Sequence, residues 1–81
     1  MSEELTATVD RVKAAAAAHG DTYVELPAAD VAALLDNPAA LATPWGRTLH
    51  NLAVSTARTP GKTVSLHRTV HLSPILAALG A

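Results

Sequence analysis

The chain of 81 residues has room for one compact domain, 1–81, and the absence of cysteine removes disulfide frameworks, thiolate metal sites and a cysteine nucleophile together. With 49% apolar residues, 16% charged residues and a net charge of −1, it lies well away from the composition of disordered chains and should fold. Alanine, leucine and valine dominate the apolar set and Tyr23 and Trp45 are the two aromatics, so the expected core is thin and aliphatic.

Residues 3–18 place Leu5, Val9, Val12 and Ala16 on one helical stripe. Ser2 stands as N-cap, Glu3 and Glu4 suit the positive end of the helix dipole, and Gly20 follows as a stop. Residues 22–26 alternate and are β-prone, which predicts a short strand ended by Pro27. Val31, Leu34 and Leu35 then form a helical stripe over 28–36, stopped at Asn37-Pro38. Thr43-Pro44 reads as the start of a third helix carrying Trp45, Leu49, Leu52 and Ala53, with a strand over 52–58 as the competing assignment.

Thr59-Pro60-Gly61-Lys62 is a turn, and it leads into the clearest alternation in the chain, 63–72. One face carries Val64, Leu66, Arg68, Val70 and Leu72, the other Thr63, Ser65, His67, Thr69 and His71, the pattern of a strand buried on one side. Ser73-Pro74 starts a last short helix over 75–79. The expected fold is a small α/β or α+β domain in the order α-β-α-α-β-α, two strands with helices packed on one face. Residues 24–34 and 70–79 also echo one another as strand, Pro, short helix.

Charge is distributed unevenly. Seven acids against Arg11 and Lys13 leave a net of −5 up to residue 36, and Arg47, Arg58, Lys62 and Arg68 give +4 beyond it. A basic second half rich in hydroxyls suits phosphate contacts, but four cations are few for neutralising a nucleic-acid backbone. A helix-turn-helix over 29–52 is interrupted by its prolines, and Pro60-Gly61-Lys62-Thr63 lacks the first glycine and the following helix of a phosphate loop. His67 and His71 have the spacing of helical metal ligands, yet a strand sets them about 13 Å apart, too far to share an ion. Arg68 is a charge inside an apolar strand face, which points to a bulge or an edge strand, with contact to a partner's carboxylate as a third option.

No acid follows His50, His67 or His71 and no serine sits in a nucleophile elbow, so neither a catalytic set, a metal nor a cofactor is expected. The start Met1-Ser2-Glu3-Glu4 is the reverse of a basic leader and no apolar run reaches membrane-spanning length, which makes no membrane association and cytoplasmic residence the expectation. Heavy alanine use with four Arg against two Lys fits a GC-rich bacterial coding sequence. Because two strands make a marginal sheet, strand 63–72 is expected to pair with its two-fold mate in a homodimer. The functional expectation is a non-enzymatic interaction or regulatory protein that associates with itself or with a protein partner. The alternative is a nucleic-acid-binding accessory protein. Candidate contact residues are Trp45, Arg47, Arg58, Lys62, His67, Arg68 and His71.

Overall fold

Two strands of five residues, β1 (Tyr23–Pro27) and β2 (Thr63–His67), pair antiparallel with Tyr23 opposite His67 and Pro27 opposite Thr63. The structure, a computed structural model, describes residues 2–18 and 20–80. Alternation decides the faces: Val24, Leu26, Val64 and Leu66 are buried, while Tyr23, Glu25, Thr63 and Ser65 are exposed on the other side. The ladder is extended by Arg68 N–H to Thr22 O at 2.8 Å and Ala28 N–H to Lys62 O at 3.0 Å. Opposed pairs alternate between bonded and non-bonded, so Pro27 falls in a non-bonded pair and its missing N–H lies on the open edge of β1.

The described chain is an α+β domain of five α-helices and this sheet, with the helices on its apolar face. Helix α1 (Glu3–Ala18) begins as its sequence predicts, with the Ser2 hydroxyl accepting from Leu5 N–H at 3.1 Å. Helix α2 (Ala28–Leu35) is apolar and central, burying Ala28, Val31, Leu34 and Leu35 against both strands and against α1. Arg11 of α1 spans to Asp30 in the first turn of α2, Nη2 to Oδ1 at 3.0 Å and Nε to Oδ2 at 3.4 Å. That hydrogen bond, with the carboxylate's charge, raises the Arg11 pKa above its ordinary value.

Asn37-Pro38 is a start as well as a stop. The Asn37 side chain accepts from Ala39 N–H at 2.9 Å and Pro38 occupies the first turn of a helix absent from the sequence expectation, α3 (Pro38–Leu41). Helix α4 (Gly46–Ala57) follows, and it covers 52–57 of the segment for which a strand competed. Thr43 does not cap α4, because its hydroxyl donates back to Ala40 O and closes α3 instead. The N-cap position is held by Trp45, with φ 67° in the left-handed region. Gly46 is buried where a Cβ would lie 2.5 Å from Ala40 O and 2.7 Å from Leu41 O, so α4 starts in direct backbone contact with the end of α3.

The strand expected over 63–72 stops at His67. Beyond the Arg68–Thr22 bond β1 offers no further backbone partner, since the chain bends at Asp21 and Thr22. Extended residues there would leave N–H and C=O groups unpaired on that side, and the backbone instead winds into a π-helical turn, Arg68–Leu72, with Ser73 N–H bonded to Arg68 O. Leu72 and Ile75 return to the core through α5 (Ser73–Ala78), while Val70 turns outward. Val70, His71 and Leu72 are therefore not strand, and the echo of 24–34 is one of sequence only.

Gly46→Ala should lose about 2 kcal/mol or more of unfolding free energy, read by urea denaturation, because the clash is with backbone that no rotamer relieves. An unchanged midpoint would show that the α3–α4 contact is looser than described.

Candidate functional site

The π-helical turn decides where the two histidines go. In extended chain they would stand about 13 Å apart, but the turn brings their ring centroids to 6.3 Å. His67 Nδ1 accepts from the N–H groups of Thr69 at 3.3 Å and Val70 at 3.1 Å, capping the turn as a short polar side chain caps a helix. His71 Nδ1 accepts from His67 N–H at 3.1 Å. That N–H belongs to a non-bonded pair of the ladder and would otherwise point off the open edge of β2. Both imidazoles, accepting at Nδ1, carry their proton on Nε2.

The rings continue in both directions. His71 lies edge-on to Trp45 at 6.5 Å and His67 edge-on to Tyr23 at 5.2 Å, within the range of favourable aromatic pairs. The result is a run Tyr23–His67–His71–Trp45 whose end members are 59% and 61% exposed, with Val70 of the same turn 47% exposed. Holding a bulky residue left-handed costs about 1–2 kcal/mol, and the chain accepts that cost at Trp45 to display an indole to solvent.

The Tyr23 end of the ridge holds both acids and a cation. Beside Tyr23 is a hollow lined by Asp21, Thr22, Glu25 and Ser65. Glu25 is steadied by the Thr63 hydroxyl at 2.7 Å, and Arg68 Nε donates to Asp21 O at 3.1 Å. Arg68 is thus neither a bulge nor an inward edge charge, but half-buried in the turn. Beside Trp45 the nearest charge in sequence is Arg47, exposed and without an ion pair among the described residues.

Of the expected contact residues, Trp45, His67 and His71 are joined by the ring contacts and Arg68 belongs to the same turn, while Arg47 is exposed in the first turn of α4. Arg58 and Lys62 do not join them. They sit at the α4–β2 turn, beside the opposite end of the sheet, with Lys62 and Thr63 lining a separate small cleft with Pro27. Tyr23 was absent from the expected set, and the signal for it was the register of the β1–β2 ladder, which sets it across from His67 on the outer face. Among the described residues no three His, Asp or Glu side chains are grouped to hold a metal ion, and no helix is long and apolar enough to cross a membrane.

His67→Ala should cost about 1–2 kcal/mol, the value of a lost cap, and His67→Asn should recover most of it in urea denaturation. Nitrogen-15 shifts of both rings near neutral pH should report the Nε2–H tautomer, and Nδ1–H at either ring would contradict the capping. The chain matches no protein-family model, and no curated protein or solved structure is significantly similar to it.

Proposed function

We propose that this chain is a non-enzymatic interaction protein that recognises another protein surface through the ridge Tyr23–His67–His71–Trp45. The observation that carries the reading is the indole of Trp45, exposed on a strained backbone and continuous with three further rings. Tryptophan and tyrosine are the residues around which binding energy concentrates, because they desolvate a large area with few rotamers to freeze. An otherwise thin aliphatic core had every use for these two side chains, and the fold spends neither on it. Cysteine-free composition fits action in a reducing cytoplasm.

A benzophenone side chain placed at Trp45, with Asn51 on α4 as control, tests this by photocrosslinking in cells that express the chain. Adducts from position 45 that exceed those from position 51 are expected. Equal or absent adducts would remove the reading.

A second reading, nucleic-acid binding, rests on a different surface. Arg47, Asn51, Ser55 and Arg58 follow at helical spacing along the exposed face of α4, with no acid anywhere in that helix. The two arginines are about 16 Å apart along the axis, enough to straddle a major groove whose phosphates they would contact. Two phosphate contacts predict weak, salt-sensitive affinity. Fluorescence anisotropy with a labelled duplex should show binding at low salt that Arg47→Ala plus Arg58→Ala abolishes. No binding at low salt would exclude this reading.

A further inference from the structure

We infer that the ridge takes a proline-rich segment of another protein in the polyproline II conformation, laid along the rings with its carbonyls accepting from them. This rests on the ridge being a recognition surface and adds the chemistry of what it takes. The polar groups of the rings are nearly all donors. An indole offers one N–H and no acceptor. Each imidazole has its Nδ1 occupied by backbone N–H groups of its own chain, so what remains is Nε2–H. Both imidazoles are half-buried, and among the described residues no buried side-chain nitrogen or oxygen lacks a partner. The two Nε2–H groups, with no hydrogen bond to any described residue, therefore reach solvent. Of the ring groups, the Tyr23 hydroxyl alone can accept as well as donate. Beside them is the apolar surface of the rings and of the exposed Val70.

The complement of such a surface is apolar, rich in acceptors and poor in donors. An ordinary extended peptide brings one N–H per residue, and these rings would leave it desolvated and unpaired. A carboxylate accepts only, but it would meet the negative ring faces and the acids Asp21 and Glu25, and Arg68 beside them already donates to Asp21 O. A cationic side chain suits ring faces, yet here it would set its donors against the indole and imidazole N–H groups. Proline satisfies each condition, with a carbonyl, no N–H and an apolar ring. Consecutive prolines hold polyproline II without internal hydrogen bonds, so their carbonyls stand free and little entropy is lost on docking.

A second copy paired strand to strand, as expected from a strand over 63–72, finds less to hold. With β2 ending at His67, its open edge offers the N–H groups of Thr63 and Ser65, and the third is taken by His71. The face, not the edge, holds the exposed rings.

The single tryptophan of the chain lies in the ridge, so its fluorescence reads the contact directly. Titrating the full chain with an oligoproline of about ten residues, about 31 Å long in this conformation, should give a saturable change in indole emission. A Kd on the order of 100 µM is expected for so small a contact. A glycine–serine peptide and an oligoglutamate of equal length should bind at least about tenfold more weakly. For variants the readout is the amide shift of Val70 on adding the oligoproline. Trp45→Gly, which suits the left-handed backbone and so preserves the fold, should weaken binding by about tenfold or more. His67→Asn, which keeps the cap and removes the ring with its Nε2–H, should weaken it by about fivefold. No saturable change, equal affinity for either control peptide, or binding that neither variant weakens would overturn the inference. Crosslinking at position 45 separates the two claims. Adducts with other proteins but no oligoproline binding leave the recognition surface standing and remove the proline-rich partner, and adducts of twice 8.3 kDa alone assign the ridge to a second copy instead.

Discussion

The N–H of His67 points off the open edge of β2, and His71 Nδ1 meets it. Much of what distinguishes this molecule follows from how the chain reaches that contact. Past the Arg68–Thr22 bond β1 has no more backbone to offer, so β2 ends and its continuation must find hydrogen bonds within itself. A π-helical turn does this, with His67 capping its first N–H groups and Ser73 closing it onto Arg68. Winding the turn shortens the distance between the two imidazoles from a strand's to a ring contact's, and also swings Leu72 inward and Val70 outward. The end of the sheet, the ring ridge and the entry into α5 are three results of one missing strand partner.

Most of the architecture was legible because local patterning and tertiary packing agree. Residues 3–18, 23–27 and 63–67 carry period and capping signals that the fold uses directly. Where the reading failed, two local solutions were close and packing chose between them. Asn37-Pro38 ends one helix and begins another, a double role that a reading for stops alone passes over. Alternation from Thr63 to Leu72 is real in sequence, but it records burial preference and not hydrogen-bond partners, so it cannot reveal where the neighbouring strand runs out.

The site was less legible than the fold for the same reason. His67, His71 and Trp45 stand out by residue type, but their grouping depends on the π-helical turn and on a left-handed Trp45, neither of which local propensity favours. Spacing in an assumed strand set the histidines far apart. Tyr23 carries no motif at all and enters only through strand register. Arg58 and Lys62 attract attention as a basic turn, yet the turn belongs to the opposite end of the sheet. Charge segregation along the chain thus does not survive as one basic face.

The placement of the two large aromatics ties stability to the recognition proposed for the ridge. In a core with no phenylalanine, burying Trp45 would have been the simplest way to gain apolar area, worth about 25 cal/mol for each Å² removed from water. Instead α4 is seated by Gly46, a residue with no side chain, against the carbonyls of Ala40 and Leu41. That close seating admits no side chain at position 46, and the left-handed residue before it, Trp45, has its ring on the surface. A small, tightly joined α3–α4 corner and an exposed tryptophan therefore occur together, and the domain forgoes core area at the residue that the proposed function uses as its anchor. In the proposed role, such an anchor would lose little backbone freedom on binding, because the corner that strains it already fixes its backbone.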